Sequence, residues 1–304
     1  MDKPTPVEYV TKLVELGYEQ KEAEKADKFS NELKEQLLNQ YDDTINELLK
    51  LDNSEELIKY YLENNDSFVV KLAKDKFFML NNMYHYIKYK DNFNDVRSLV
   101  EYVNAKAYLM PFIEATESDT SKDILMIGSK IYFLNDYVPE DLEDVPEGYY
   151  LLSKPQLRSE ALQAYIKMAD EARKEGLDFY ISTAYRSYEF QNTLYNNYLK
   201  TDPQEVVDTY SSRPGYSDHQ IGLSCDIRTK EKSFSDFTST PEAQWLKENS
   251  YKYGFIMRYP ENKENITGYV YESWHFRYVG LDAAKIINDN NITFDEYYSY
   301  YVEK

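Results

Sequence analysis

Two short motifs contain two of the chain's three histidines. The first motif is SDHQIGLSCD at residues 217–226, and the second is ESWH at residues 272–275. Together they offer two imidazoles and a carboxylate as metal ligands, with one further carboxylate that could act as a base. A catalytic zinc site needs three protein ligands and an open fourth position. The two motifs therefore predict a zinc-dependent hydrolytic site.

The spacing inside each motif sets a condition on the backbone. His219 and Asp226 are seven residues apart, and in one continuous strand an odd separation places two side chains on opposite faces. They can meet at one ion only if the chain turns between them. Gly222 is the natural hinge, because glycine tolerates backbone angles that other residues avoid. Glu272 and His275, three residues apart, likewise need a local bend or one helical turn.

Each of these residues also has an ordinary interpretation. A single histidine serves many roles other than metal binding, and we interpret His85 in that way because no carboxylate stands at ligand spacing from it. Asp226 alone could cap a turn, and Glu272 alone could be a surface charge. The combination of both motifs with the hinge glycine favours the metal site.

Composition excludes several classes of function. The 304 residues carry a formal net charge of −19, which argues against nucleic acid as a partner, since phosphate binding needs clustered lysine and arginine. The same charge argues against adsorption to anionic membranes. The one cysteine, Cys225, excludes an internal disulfide framework and a cysteine-rich metal site.

The elements that must position the motifs divide the chain into two regions. Residues 1–115 read as an all-α region of unknown role, beginning at a capping box in which Thr5 precedes Pro6 and Glu8. The acidic, polar residues 116–123 read as a linker. Residues 124–304 read as an α+β domain with a mostly antiparallel sheet flanked by helices.

Within the second region, the pattern predicts three helices and several strands. The helices are expected at 159–175, at 188–199 with Ser187 as N-cap, and at 241–250 with Thr240 as N-cap. Short apolar runs predict a hairpin at 124–127 and 130–134 and strands at 179–183, 255–259 and 269–278.

The motifs resemble those of the VanY-type zinc D-alanyl-D-alanine carboxypeptidases, which are LAS metallopeptidases of bacterial cell-wall metabolism. The hallmark of that family is S-x-H-x-x-G-x-A-x-D followed by E-x-W-H. The sequence matches it at Ser217, His219, Gly222, Asp226, Glu272, Trp274 and His275, with Ser224 in place of the family's alanine. The resemblance covers roughly residues 124–280 and includes the segments AYRS at 184–187, RPG at 213–215 and YGFIMRYP at 253–260.

The resemblance implies a role for each matching residue. His219, Asp226 and His275 would bind one Zn²⁺, and Glu272 would take a proton from the metal-activated water that attacks the terminal peptide bond. Arg186 would pair with a substrate carboxylate. Three further residues would contact the substrate: Gln191, Ser217 and Trp274.

The expected activity is zinc-dependent removal of the terminal D-alanine from peptidoglycan stem peptides. An L,D-carboxypeptidase or a peptidoglycan endopeptidase on the same scaffold stays open, as does a zinc-stabilised cell-wall binding module without activity. The helical region could bind the cell wall or a protein partner. We expect an extracellular or cell-surface protein whose export segment, and any membrane anchor, lie outside these 304 residues. If Met1 is the native start, the missing export signal contradicts this expectation.

Overall fold

The computed structural model describes residues 5–39 and 41–303, so Met1 lies outside the described residues. The chain divides into two compact units, Met1–Val103 and Asn104–Lys304. This division comes earlier than residue 115, where composition placed the end of the helical region. None of the described helices is both long and apolar enough to cross a membrane.

The first unit contains only helices among its described regular elements, as the sequence predicts. Thr5 and Glu8 form the expected capping box at the start of α1. The apolar faces of the six described helices between Pro6 and Ala73 share one buried core that includes Leu13, Leu48 and Leu57. The α-helices are α1 Pro6–Leu16, α2 Gln20–Ala26, α3 Asn31–Leu37, α4 Asp43–Leu49, α5 Ser54–Asn64, α6 Phe68–Ala73, α7 Met83–Tyr89 and α8 Val96–Asn104.

The second unit contains a four-stranded sheet in which every neighbouring pair is antiparallel, which confirms the α+β prediction. Its strands are β5 Tyr180–Thr183, β6 Ser224–Arg228, β7 Phe255–Met257 and β8 His275–Tyr278. They lie in the order β5-β6-β8-β7. Two small sheets accompany it: β1 Thr116–Glu117 with β2 Tyr132–Phe133, and β3 Leu142–Asp144 with β4 Gln156–Arg158.

Helices flank this sheet, and their N-caps follow the sequence signals. Ser187 accepts a hydrogen bond from the Phe190 N–H and caps the helix that begins at Tyr188, and Thr240 accepts from the Ala243 N–H and caps the helix that begins at Pro241. Alternation along β6 places Cys225 and Ile227 in the main core. The helices are α9 Ser159–Lys174, α10 Tyr188–Tyr198, α11 Gln204–Tyr210, α12 Phe234–Phe237, α13 Pro241–Asn249, α14 Glu264–Thr267, α15 Leu281–Asn290 and α16 Phe294–Tyr297.

The predicted hairpin at 124–134 is wrong. Met126 and Ile127 are buried, but the backbone carbonyls of Ile124 and Met126 accept hydrogen bonds from the side chain of Arg277, at 3.0 and 2.6 Å. A buried arginine therefore takes the place of a partner strand. Apolar residues alone do not reveal which group satisfies their backbone.

Residues 116–123, which composition marked as a linker, belong to the second unit's fold. Strand β1 runs parallel to β2, and the Thr116 N–H donates to the Ile131 carbonyl at 2.7 Å. Of the strand expected at 269–278, only β8 forms. The first half of the predicted strand forms other hydrogen bonds. The Val270 N–H donates to the Thr209 carbonyl, and the Glu272 N–H donates to the Tyr259 carbonyl.

Candidate metal centre and active site

The two central strands of the sheet place one residue of each motif side by side. Asp226 on β6 is the register partner of His275 on β8. Directly opposed residues of an antiparallel pair share a face, with their Cβ atoms about 4.5–5.5 Å apart. Residues 226 and 275 therefore meet because of strand register, although 49 positions separate them in the sequence.

A turn brings His219 to the same place. It lies in a 3₁₀ helix, Asp218–Ile221, which ends at Gly222 with a φ of 75°. This is the left-handed conformation that glycine adopts readily. The chain reverses there and enters β6, so His219 Nε2 lies 3.3 Å from Asp226 Oδ1. The predicted hinge is confirmed.

Glu272 approaches His275 through a tight turn just before β8. The His275 N–H points to the Glu272 carbonyl at 3.4 Å, and Glu272 Oε2 lies 3.4 Å from His275 Nδ1. Ser273 and Trp274 form the turn. The local bend predicted from the three-residue spacing is therefore confirmed.

One potential ligand atom each from His219, Asp226 and His275 lies within 4.8 Å of the other two. All three residues are buried. Asp226 Oδ1 faces both imidazoles, at 3.3 Å from His219 Nε2 and 3.3 Å from His275 Nδ1, yet this buried oxygen has no hydrogen-bond partner among the described residues. Two imidazoles and a carboxylate suit Zn²⁺, so the residues present fit a metal centre.

Hydrogen bonds on the far sides of the two rings set which nitrogen faces the cluster. His219 Nδ1 lies 2.7 Å from the Ala184 carbonyl, which can only accept, so this nitrogen carries the proton. His275 Nε2 lies 3.4 Å from Asp218 Oδ2. Histidines that bind metals usually donate their other ring N–H to a carbonyl or carboxylate in this way.

Burial and neighbouring charges tune the site's ionisable groups. Burial, together with nearby Arg186, lowers the pKa of His219 to about 4, which keeps this ring neutral. Burial alone would raise the pKa of Asp226, but the two histidines and Arg186 hold it well below its usual range. Burial opposes protonation of His275, yet its carboxylate neighbours raise its pKa well above the ordinary value. Burial raises the pKa of Glu272.

Arg186 lies at the edge of the cluster, immediately before α10. Its Nη2 donates to Asp226 Oδ2 at 2.9 Å and lies 2.7 Å from His219 Nε2. Its Nη1 donates to Gln191 Oε1 at 3.2 Å. Gln191 is fully buried, and its amide nitrogen donates to the Ser212 carbonyl at 2.7 Å. Gln191 thus orients Arg186, and it is not among the residues that line the cleft.

A cleft of about 440 Å³ opens over the cluster. Its walls include Arg186, Ser217 and Trp274, together with the metal-binding candidates and Glu272. The indole of Trp274 packs against Phe234, with ring centroids 5.3 Å apart. Of the eight residues singled out from the sequence, the structure brings seven to this cleft and places Gln191 behind Arg186.

Three buried residues behind the site were not predicted to act there, and two of them, Asp218 and Arg277, support it through hydrogen bonds. Asp218 contacts His275 from behind, and Arg277 donates to Asp218 Oδ1 at 2.5 Å. The Nε atom of Arg258 lies 3.8 Å from the same oxygen. Asp218 lies inside the first motif, but nothing in the sequence predicts that it contacts His275. Both arginines stand in predicted strands, and neither the apolar pattern nor the family resemblance assigned them a role in the site.

Known proteins resemble the part of the chain that forms this site. Residues 154–281 match the sequence model of the VanY family, described as D-alanyl-D-alanine carboxypeptidase. The YodJ protein of Bacillus subtilis (strain 168) is 40% identical over 185 residues, which span 58% of this chain and 67% of YodJ. A D-alanyl-D-alanine carboxypeptidase of Enterococcus faecium is 36% identical over 190 residues, which span 60% of this chain and 59% of that protein.

A solved structure supports the same family assignment as the sequence relatives. The structure of the LdcB LD-carboxypeptidase has a TM-score of 0.57 and 37% sequence identity, and the match covers 61% of this chain and 90% of LdcB. The resemblance stated from the two motifs is confirmed, and with it the prediction that the chain is an enzyme. The chain belongs to the VanY family of D-alanyl-D-alanine carboxypeptidases.

Proposed function

We propose that this protein is a zinc-dependent carboxypeptidase that removes the terminal D-alanine from peptidoglycan stem peptides. The observation that carries the proposal is the buried cluster of His219, Asp226 and His275 beside the carboxylate of Glu272. A structural zinc site closes all four positions with protein ligands, whereas a hydrolytic site keeps one open. Three ligands with a nearby carboxylate therefore favour hydrolysis.

His219 Nε2, Asp226 Oδ1 and His275 Nδ1 would hold the ion, since these three atoms face one another. A zinc ion bound there supplies Lewis acidity, which acidifies a water molecule and polarises a carbonyl group. The Ala184 carbonyl and the Asp218 carboxylate hold the two rings in place. These contacts occupy the far nitrogens, so the facing nitrogens are the ones that would bind the ion.

Glu272 would act as the general base and then as the general acid. It takes a proton from the attacking water and delivers it to the leaving amine of D-alanine. Its carboxylate lies 3.4 Å from His275 Nδ1 on the wall of the cleft. Its burial raises its pKa, which makes it a better proton acceptor than an exposed carboxylate.

Arg186 would bind the substrate through its guanidinium, which can form two parallel hydrogen bonds with a carboxylate. Gln191 would hold this guanidinium in position by accepting from Nη1. Ser217 and Trp274 line the same cleft and would contact the peptide. The name of the Enterococcus faecium relative, a D-alanyl-D-alanine carboxypeptidase, supports a stem ending in D-Ala-D-Ala.

A second candidate is L,D-carboxypeptidase activity on the same scaffold. The likeness to the LdcB LD-carboxypeptidase favours it, because LdcB matches at 37% identity with a TM-score of 0.57.

An endopeptidase would use the same catalytic groups. Arg186 beside the cluster favours a substrate with a free terminal carboxylate over an internal bond. A binding module without activity would have no use for the buried Glu272.

A cell-wall stem peptide as substrate supports action at the cell surface or in the extracellular space. The helical first unit would then bind the cell wall or a protein partner. Residues 104–304 would form the catalytic domain, and this role rests on the two motifs they carry.

The deciding experiment measures D-alanine release from a pentapeptide stem ending in D-Ala-D-Ala, with added zinc and after chelation. We expect release that stops on chelation and resumes when zinc is restored. Mass spectrometry of products from tripeptide, tetrapeptide and pentapeptide stems separates the D,D, L,D and endopeptidase activities. A zinc-loaded protein inert on all three stems would rule out the proposal and favour the binding module.

A further inference from the structure

The last helical segment of the chain carries a buried carboxylate that points toward the site. Asp295 lies in α16, with 8% of its surface exposed. Its two oxygens accept from the two terminal nitrogens of Arg258, Nη2 to Oδ1 at 3.1 Å and Nη1 to Oδ2 at shorter range. This is the forked geometry that makes arginine–carboxylate pairs strong. Asp295 lies beyond residues 154–281, which match the family.

Arg258 stands between two carboxylates. It is completely buried, and its fork is occupied by Asp295. Its remaining nitrogen, Nε, points toward Asp218 Oδ1 at 3.8 Å without a hydrogen-bond partner among the described residues. The ring of Phe294, from the same segment as Asp295, packs over this guanidinium at 5.5 Å.

Asp218 divides its two oxygens between separate partners. Oδ1 accepts from Arg277 Nη1 at 2.5 Å. Oδ2 accepts from the Ser224 hydroxyl and faces His275 Nε2 at 3.4 Å. The orientation of His275 therefore depends on Asp218 keeping Oδ2 turned toward the imidazole. A second arginine that hydrogen-bonds to Asp218 would compete with that ring.

We propose that Asp295 is a positioning residue for His275, acting through Arg258 and Asp218. By occupying the fork of Arg258, Asp295 keeps this arginine from binding Asp218, so Asp218 stays available to the imidazole. Without Asp295, Arg258 would be a buried cation lacking its partner, a costly state that is relieved by moving to the nearest carboxylate. That carboxylate is Asp218. This inference rests on the proposed function, because it concerns a proposed zinc ligand.

A purely structural role for Asp295 makes a different prediction. In that case its loss would loosen the C-terminal segment, residues 293–303, and any change in zinc binding would follow from lower stability. Glu303 provides the matched control. It lies in the same segment and pairs with Lys106 and the Tyr132 hydroxyl, contacts that do not involve Asp218.

The experiment compares zinc affinity, by competition with a chromophoric chelator, in the unsubstituted protein and in three variants. Asp295→Asn removes the charge that holds Arg258. The double variant Arg258→Met/Asp295→Leu replaces both members of the pair with apolar residues. Proteins often tolerate such a replacement of a buried ion pair. Glu303→Gln is the control. The absorption spectrum of bound Co²⁺ reports ligand geometry, and thermal unfolding reports stability.

We expect Asp295→Asn to weaken zinc binding by about 10- to 100-fold, the usual effect of losing a group that orients a metal ligand, and to change the Co²⁺ spectrum. The double variant and Glu303→Gln should bind zinc as the unsubstituted protein does. If Asp295→Asn does not fold, the double variant still tests the proposal. Weak zinc binding by the folded double variant would contradict the idea that a released Arg258 competes with His275 for Asp218.

Two results would overturn the inference. One is a folded Asp295→Asn variant with unchanged zinc affinity and Co²⁺ spectrum. The other is equal weakening by Asp295→Asn and Glu303→Gln, which would indicate general loosening of the segment. The unsubstituted protein is measured first. If it binds no zinc, the proposed function itself fails, and this outcome is distinct from zinc binding that does not respond to Asp295.

Discussion

His219 and His275 present different ring nitrogens to the cluster, Nε2 in the first and Nδ1 in the second. The difference follows from what lies behind each ring: a backbone carbonyl at Ala184 and a carboxylate at Asp218. Each acceptor holds a proton on the nitrogen it faces, so the opposite nitrogen is the one that can bind a metal. The chemistry of the site thus depends on two groups that are not themselves ligands.

Glu272 can be tested without disturbing the cluster. Glu272→Gln keeps the size of the side chain but removes its ability to accept a proton. We expect kcat to fall by about 10²- to 10⁴-fold, the usual contribution of a general acid–base group, while zinc content stays near one ion per chain. Steady-state kinetics with metal analysis checks both quantities. A variant that keeps more than a tenth of the activity would show that another group moves the proton.

At the scale of elements, Gly222 joins the 3₁₀ helix that carries His219 to the strand that carries Asp226. Its φ is 75°, and a Cβ built there would lie 2.9 Å from Leu142 Cδ2 and 3.1 Å from Arg158 Cγ. Both the backbone angle and the lack of space therefore require glycine. Its carbonyl also accepts from the Arg158 N–H at 2.8 Å, which ties the hinge to the start of α9.

Gly222→Ala should destabilise the protein by more than the cost of a left-handed residue alone, which is about 1–2 kcal/mol. Gly176→Ala is a matched control, because Gly176 has a φ of 81° but no atom within 4 Å of its built Cβ. The difference in unfolding free energy between the two variants, from urea titration, isolates the steric contribution. Equal destabilisation would mean that the neighbours of Gly222 move aside without cost.

At the scale of the whole molecule, the chain consists of two compact units that divide after Val103. All the residues of the proposed site lie in the second unit. A ligand that binds only the folded state stabilises it by about 2.7 kcal/mol when its concentration is 100 times its dissociation constant. Zinc should therefore stabilise the second unit specifically.

Zinc should raise the Tm at which the second unit unfolds, and chelation should reverse the rise. A gain of about 2.7 kcal/mol corresponds to roughly 5–11 °C for a unit of this size. Differential scanning calorimetry measures the shift, with His275→Ala as the control that should show none. An equal shift in that variant would place the stabilising ion elsewhere.

A fragment beginning at Asn104 should keep D-alanine release from a soluble pentapeptide, because the first unit contributes no residue to the proposed chemistry. A fragment beginning at Ser121 should be less stable, since it lacks β1 and the Ser118 hydroxyl, which accepts from the Ile127 N–H at 3.3 Å. Release assays and thermal unfolding test both fragments.

The same fragment tests the targeting role proposed for the first unit. If that unit binds the cell wall, the Asn104 fragment should release less D-alanine from intact walls than the full chain does, at equal activity on soluble peptide. Equal release from walls would remove the targeting role.

The sequence by itself determined the local features of this protein. The caps at Thr5, Ser187 and Thr240, the hinge at Gly222 and the turn before His275 all depend on residues a few positions apart. Local hydrogen bonds and glycine's backbone freedom act over that range, so residue order predicts them. The motifs also identified the residues that the structure brings together as a cluster that could hold a metal ion.

Only the tertiary structure decided which distant segments meet. The contact of Asp218 with His275 and the burial of Arg277 against the carbonyls at 124 and 126 join segments far apart in sequence. Gln191 shows the same limit, since the family resemblance implied a substrate contact and packing placed it behind Arg186. Such contacts depend on how the whole chain packs, because each buried polar group must find its partner there.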